Sequence, residues 1–189
     1  MWCVSARWQS QLPRCPITVA GASIEPVSVV CDLGVYSDSD LGAATHVRRT
    51  VSRCFAALRQ LRHLRRYVTN DCFRSLVVSL VHSRLDYGNF VFVGLPPYLQ
   101  RRIQAVLNAA ARLVFGLRRY DHVTDALAIL HWLRVPERVN FKLALMVYRV
   151  LNGMVQSYLN KLVPVSSLTG RRRLRRLSHC SCSSRHTVY

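Results

Sequence analysis

A helical spacing of apolar residues after residue 43 is the strongest constraint on the fold. The apolar positions recur at intervals of three and four: Ala44, Val47, Val51, Cys54, Phe55, Leu58 and Leu61. This spacing predicts one amphipathic helix with a single buried stripe. Asp38 or Asp40 is expected to cap its start. Arg65 projects onto the apolar stripe, so we expect the helix to end or to leave the core near that residue.

Two further helices are expected between residues 69 and 115. Thr69 fits the N-cap of the second helix, with Asp71 in the first turn, and the turn-forming residues 86–89 end it. Residues 90–93 are apolar and are expected to be extended. The third helix should begin near Pro97, because proline is favoured in the first turn of a helix.

The remaining helices are shorter or less regular. Asp121 or Thr124 is expected to cap a short fourth helix, and Pro136 should open a fifth that Gly153 ends. Trp132 lies in the connection between these two helices. We interpret it as a residue of the core, since this role is more common for tryptophan than stacking on a nucleic-acid base.

The N-terminal part has a different pattern. Short β-branched runs in residues 15–36 are separated by Gly and Pro, with Ala20 and Gly21 as a turn, which predicts a small hairpin or meander. So small a β unit must lie against the helices or against polypeptide missing from this chain. The predicted fold is mainly α, with this β unit at residues 1–39, a five-helix bundle at 40–163 and a basic, disordered tail at 164–189.

The chain is strongly basic. It has 27 Lys+Arg against 9 Asp+Glu, a net charge of +18, and only Lys142 and Lys161 among the cations are lysines. The forked guanidinium group of arginine matches phosphate, so nucleic acid is the expected partner. The longest charge-free run, residues 87–100, contains Gly and Pro and is shorter than the ~18 apolar residues of a membrane helix. No membrane association is therefore expected.

Some arginines have a regular placement. At about 100° per residue, Arg48, Arg59 and Arg66 fall within about 20° of one direction on the first helix, with Arg62 close by. Further candidate contacts to nucleic acid are Arg101, Arg102, Arg118, Arg119, Arg171, Arg172 and Arg173. The alternatives are an ordinary solvated helix face and, for the arginine run at 171–176, a nuclear import signal or a solvated segment.

Motifs of catalysis are missing from the sequence. It has no Gly-rich phosphate loop, no G-x-S-x-G elbow, no H-E-x-x-H and no adjacent pair of aspartates. We therefore predict no catalytic residue, no metal ligand and no cofactor in this chain. The group His179, Cys180, Cys182 and His186 lacks the two separated ligand pairs that are typical of zinc sites.

Cysteine usage and the N-terminus bear on localisation. The seven cysteines are an odd number at irregular spacing, and several lie in apolar segments, which predicts buried free thiols in a reducing compartment. Residues 1–14 contain no apolar core of a signal peptide. An intracellular protein, nuclear or cytoplasmic and not secreted, is expected.

Several segments together resemble one known family. In order, they are DLGV (32–35), SDSDL (37–41), SRLDYGN (83–89), GLP (94–96), LNAAARL (107–113), LHWLRVPER (130–138) and YRVLNG (148–153). They resemble the region after the catalytic palm in the reverse transcriptases of LINE-type, non-LTR, jockey-related retrotransposons. The resemblance covers about residues 2–177.

The resemblance implies a thumb-like helical region that grips template and primer. The family's catalytic aspartates and their magnesium ions belong to the palm, upstream of the DLGV segment, and the aspartate doublet is not in this sequence. The resemblance therefore implies a truncated fragment of an RNA-directed DNA polymerase that binds nucleic-acid backbone without catalysis, with the missing palm and fingers as a further partner. The alternatives are a helical protein-interaction module and the non-functional product of a pseudogene.

Overall fold

The computed structural model describes residues 1, 3, 6–11 and 15–159. The fold is mainly α with N-terminal hairpins, as predicted, and the chain divides into two compact units, residues 1–145 and 146–189. The predicted tail lies outside the described residues, and so do Arg171, Arg172 and Arg173 and the cysteines and histidines that follow them. No helix in the described part is long and apolar enough to cross a membrane.

The N-terminal β unit consists of two antiparallel hairpins, whereas the sequence predicted a single hairpin or meander. A short 3₁₀ helix, Ala6–Gln11, comes first, and the strands are β1 (Ile17–Val19), β2 (Ala22–Ile24), β3 (Val29–Asp32) and β4 (Val35–Asp38). Ile17 pairs with Ile24 in the first hairpin, around the predicted turn at Ala20 and Gly21, and Val29 pairs with Asp38 in the second. All residues of β1 and β2 are exposed.

Eight helical or turn segments follow the hairpins and give the bundle. They are α1 (Ala44–Leu64), α2 (Asn70–Val77), a π-helical turn (Val78–His82), α3 (Ser83–Asp86), a 3₁₀ turn (Asn89–Phe92), α4 (Pro97–Phe115), α5 (Thr124–Ile129) and α6 (Val135–Leu151). Residues 70–86 form one helical run, which is the predicted second helix. The predicted extended piece at 90–93 is wrong, because Gly88 at φ +64° turns the chain and its carbonyl accepts a hydrogen bond from the Val91 N–H.

The second hairpin lies against α1. The Tyr36 N–H donates to His46 Nδ1 over 3.4 Å, and Asp38 Oδ2 accepts from the Thr45 N–H over 3.0 Å. Asp38 thus satisfies a donor in the first turn of α1, although Ala43 occupies the N-cap position. The expectation that the β unit packs on the helices is met by this hairpin.

The predicted N-cap is confirmed for α2 but not for α5. Thr69 accepts from the Cys72 N–H and is the predicted N-cap of α2. At α5, Val123 is the N-cap and makes no side-chain cap bond, so the prediction of Asp121 or Thr124 is wrong. The reason is that Asp121 Oδ2 accepts from the Arg118 N–H over 2.7 Å, in the turn that follows α4.

The core of the first unit lies mainly between α1, α4 and the helical run 70–86. Its fully buried large side chains are Phe73, Leu61, Ile103, Leu107, Val47, Val77, Val81, Val106 and Cys54. The alanine patch of α4 permits close packing, since Ala110 belongs to this core and Ala111 contacts a smaller cluster around α5. Trp132 packs against both clusters, and its ring centre lies 4.0 Å from that of His82 in a tilted arrangement, which confirms its predicted place in the core.

Polar contacts attach α6 to the other helices. Arg138 forms a bidentate ion pair with Asp86 at the end of α3. Nε donates to Oδ1 over 2.6 Å, and Nη2 donates to Oδ2 over 2.8 Å. Lys142 Nζ lies 3.4 Å from Asp86 Oδ1. The Val135 N–H donates to Gln104 Oε1 on α4. Gly153 at φ +67° ends α6 as predicted.

The prediction of buried thiols is mostly wrong. Cys54 is buried, but Cys3, Cys15, Cys31 and Cys72 are exposed. Burial raises the pKa of the Cys54 thiol to about 11, while the positive charge of Arg84 acts in the opposite direction. The four exposed cysteines fall on the N-terminal segment, the exposed sides of a hairpin and the first turn of α2, where apolar neighbours in sequence do not imply burial.

Candidate nucleic-acid interface

Five arginines surround one cavity between the C-terminal parts of α1 and α4. The cavity has a volume of about 700 Å³, and its basic residues are Arg59, Arg62, Arg112, Arg118 and Arg119. Its apolar floor consists of Phe55, Leu58, Ala109, Leu113 and Leu117. We call this surface the arginine groove.

Local sequence explains how the groove forms. Arg59 and Arg62 are three residues apart on α1, which places them on one helix face. Gly116 ends α4 in the left-handed region at φ +67°, and the Leu117 N–H then donates to the Arg112 carbonyl over 2.9 Å. This turn is favourable for glycine, because other residues are strained at positive φ. The chain therefore reverses direction, and Arg118 and Arg119 lie at the groove.

The groove has no internal counter-charge among the described residues. No carboxylate lines it, and the ion pairs found in the described part all involve Asp86. The nearby Asp121 uses Oδ2 to accept from the backbone N–H of Arg118. Arg59, Arg62, Arg118 and Arg119 are all exposed, so their guanidinium groups are accessible to an external anion.

Arg112 belongs to the groove and was not predicted. It is half-buried; its Nη2 donates to the Asp121 carbonyl over 3.5 Å, and its Nε is buried with no hydrogen-bond partner among the described residues. A buried donor without a partner is unfavourable, and an anion in the groove would satisfy it. The available signal was an arginine directly after three alanines in an otherwise apolar helix face.

The other predicted arginines lie elsewhere. Arg48 is exposed on α1 but is eleven residues before Arg59, which is about 16 Å along a helix. Arg66 follows the end of α1 at Leu64, so it does not continue a helical ridge. Arg101 and Arg102 are exposed in the N-terminal half of α4, away from the groove at its C-terminal end. The structure therefore brings Arg59 and Arg62 into the groove and leaves Arg48, Arg66, Arg101 and Arg102 outside it. Contact of these four arginines with nucleic acid stays a prediction.

Arg65 has an internal role, as its position on the apolar stripe indicated. Its guanidinium carbon lies 5.0 Å from the centre of the Phe73 ring. Nη2 donates to Asn70 Oδ1 over 2.6 Å and to the Val114 carbonyl over 3.4 Å. Arg65 thus closes the end of α1 against α2 and α4, which confirms that the helix ends there.

Neither a metal site in the described part of the chain nor a similar protein points to a function. Within the described ranges, no group of three or more His, Cys, Asp or Glu side chains is placed to hold a metal ion. Comparison with protein-family models, with curated proteins and with solved structures gives no match.

Proposed function

We propose that this chain binds the phosphate backbone of nucleic acid in the arginine groove. The observation that carries the proposal is the convergence of five arginines on one cavity that no described carboxylate lines. Close cations without a counter-charge repel one another, and a bound polyanion removes that repulsion. Arginine forks also match phosphate oxygens geometrically.

The apolar floor suits a nucleic-acid strand as well. Phe55, Leu58 and Leu113 give the groove a base that can contact sugars or the faces of unpaired bases, while the arginines at the rim contact phosphates. Such contacts fix a strand without reading its sequence. We therefore expect affinity that depends strongly on salt and weakly on sequence.

We further propose that the chain is a thumb-like fragment of a LINE-type RNA-directed DNA polymerase. The support is the order of the resembling segments together with a hairpin that precedes a basic helical bundle. In this proposal the magnesium ions and their aspartates belong to the palm, and the chain alone binds template and primer without catalysis. The palm and fingers would then be its protein partners, in the nucleus or cytoplasm.

The test is binding to labelled oligonucleotides over a salt series. With about five phosphates neutralised, log affinity should fall against log salt with a slope of roughly −3.5 for single strands and −4.5 for duplexes. Single-stranded DNA, duplex DNA and an RNA–DNA hybrid, each in two unrelated sequences, are measured by fluorescence anisotropy. A flat salt dependence contradicts the proposal.

A charge-matched pair of variants makes the test specific to the groove. The first variant replaces Arg59, Arg62, Arg118 and Arg119 by alanine. The second replaces Arg48, Arg66, Arg101 and Arg102, which were predicted from sequence but lie outside the groove. Both variants lose four positive charges, so a loss of affinity confined to the first supports the groove. Equal losses would mean that overall charge alone explains binding.

The apolar floor also supports a second candidate function, the binding of an acidic amphipathic helix. Phe55, Leu58, Leu113 and Leu117 could accept apolar side chains of such a helix, with the arginines facing its carboxylates. Binding of this kind buries apolar surface and depends less on salt. A flat slope with oligonucleotides, combined with saturable binding of an acidic helical peptide, would favour it.

A further inference from the structure

A second basic cavity lies on the opposite border of α1 from the arginine groove. It has a volume of about 540 Å³ and is enclosed by the β3–β4 hairpin, α1 and the end of α3. Its lining includes Tyr36, Arg49, Thr50, Arg53, Arg84 and Tyr87. We call it the hairpin pocket.

The charge in the hairpin pocket is uncompensated. Three arginines line it, and none of its lining residues is a carboxylate. Arg49 and Arg53 are four residues apart, so they lie on the same face of α1, one turn apart. The Arg84 Nη1 donates to the Arg53 carbonyl over 3.2 Å, which draws the third arginine to the same place.

Aromatic rings and a fixed turn form the wall of the pocket. The Arg49 guanidinium carbon lies 4.3 Å from the centre of the Tyr36 ring, and the Tyr87 hydroxyl donates to the Leu33 carbonyl. Gly34 has φ +81°, and a Cβ there would lie 3.3 Å from Tyr87 Cε1. The hairpin turn therefore packs directly against Tyr87, and the pocket is preformed.

His46 completes the inner wall and adds no charge. It is 4% exposed, and its Nδ1 accepts the Tyr36 N–H, so the neutral ring carries its proton on Nε2. Nε2 is buried and has no hydrogen-bond partner among the described residues. Burial lowers the pKa of His46, and the positive charge of Arg53 lowers it further. The pocket is thus a site of three guanidinium charges beside neutral polar groups.

We propose that the hairpin pocket binds the phosphate group of a nucleotide, either a free mononucleotide or the phosphorylated end of a strand. Three converging guanidinium groups suit the several oxygens of a terminal phosphate. The rings of Tyr36 and Tyr87 can contact the attached nucleoside. The cavity volume falls within the range of small-molecule sites, about 300–1,000 Å³. This site is distinct from the groove, which holds a continuous backbone.

Calorimetric titration of the full chain with 5′-AMP, adenosine and inorganic phosphate tests the proposal. Saturable binding of 5′-AMP at least ten times tighter than that of inorganic phosphate, with no detectable binding of adenosine, supports it. Inorganic phosphate that binds as tightly as 5′-AMP, or adenosine that binds equally well, overturns the nucleotide assignment.

Two double variants of equal charge locate the binding. Arg49→Ala with Arg53→Ala should weaken 5′-AMP binding at least tenfold, while Arg101→Ala with Arg102→Ala, which lie outside both cavities, should change it less than twofold. Similar losses in both overturn the hairpin pocket. Thermal melts check folding, and Arg→Gln replacements at the same positions keep most of the aliphatic packing if the alanine variant is unstable. Retained strand binding in the pocket variant separates this proposal from that for the groove.

The source of the phosphate is distinguished with short oligonucleotides. A hexathymidylate with a 5′-phosphate and one with a 5′-hydroxyl are titrated into the Arg59→Ala, Arg62→Ala variant. Binding of the phosphorylated strand that is tighter than that of 5′-AMP supports a strand end as the ligand. Binding of 5′-AMP alone supports a free nucleotide. Equal binding of the two strands, together with no binding of 5′-AMP, overturns the proposal.

Discussion

Arginine has opposite roles in two regions of this protein. Where α6 meets the end of α3, Arg138 and Lys142 are paired with Asp86, and both forks of Arg138 contact the carboxylate. In the arginine groove, five arginines meet without a carboxylate among the lining residues. Both regions use arginine, but only the contact between α3 and α6 provides a carboxylate as counter-charge.

The difference indicates how to separate structural from binding arginines in so basic a chain. The chain has 27 cationic and 9 acidic residues, and within the described ranges only Arg138 and Lys142 form ion pairs, both with Asp86. Several acidic groups are used on backbone donors, as Asp38, Asp121 and Glu137 each accept from an N–H. An arginine with its own carboxylate is therefore the exception here, and Arg138 is the clearest example.

Removal of Asp86 should have the largest effect on stability. Asp86→Ala leaves two half-buried cations without a counter-charge, and we expect a loss of about 2–4 kcal/mol in the free energy of unfolding. Arg59→Ala in the groove should cost less than about 0.5 kcal/mol, because the residue is exposed and unpaired. Urea denaturation followed by circular dichroism measures both. Similar losses for the two variants would contradict the contrast between the regions.

The second largest effect should be a loss of stability in acid, caused by protonation of His82 near the contact between α3 and α6. The pKa of His82 is lowered to about 4, mainly by burial and also by the charge of Arg138, while the charge of Asp86 acts in the opposite direction. The unfolded chain therefore binds a proton near pH 6.5 that the folded chain does not. Stability should fall as pH decreases from about 6.5 to about 4, by an amount of order 3 kcal/mol.

His46 and Asp86 also contribute to the pH dependence of stability. His46 also has a lowered pKa, mainly through burial, so it acts in the same direction. Burial raises the pKa of Asp86, but the hydrogen bond and charge of Arg138 and the charge of Lys142 outweigh it and lower the pKa. The contribution of Asp86 is thus present above its usual pKa of 3.8 and is lost only in stronger acid. The variant His82→Gln should flatten the curve between pH 4 and 6.5 while leaving the loss in stronger acid that Asp86 causes.

The variants Arg59→Ala and Arg138→Ala should change different properties, and both effects should be of intermediate size. Arg59→Ala should reduce the magnitude of the salt slope for nucleic-acid binding by about 0.7–0.9, since one phosphate contact is lost. Arg138→Ala should leave that slope unchanged and lower stability instead. Anisotropy over a salt series and urea denaturation on the same two proteins give all four values. A slope that changes with Arg138→Ala would place that arginine in the interface.

The sequence predicted the elements much better than the sites. Periodic spacing identified α1, and Thr69 and Pro97 marked the starts of α2 and α4, because such signals are local. The groove joins residues of α1 to residues beyond Gly116, and the hairpin pocket joins three separate segments. Neither convergence follows from spacing within one helix, since it depends on how elements pack. For the same reason Arg49, Arg53, Arg84 and Arg112 were not predicted.

The smallest effect concerns the second cation at Asp86. Lys142 Nζ lies 3.4 Å from Oδ1, farther than either contact of Arg138, and its side chain is 31% exposed. A single flexible ammonium group at this distance should contribute about 0.5 kcal/mol, and high salt should reduce that value. Lys142→Ala is therefore expected to destabilise the protein much less than Arg138→Ala in urea denaturation at low salt. If the two losses are equal, neither the forked geometry nor the shorter distance of Arg138 contributes anything beyond its charge.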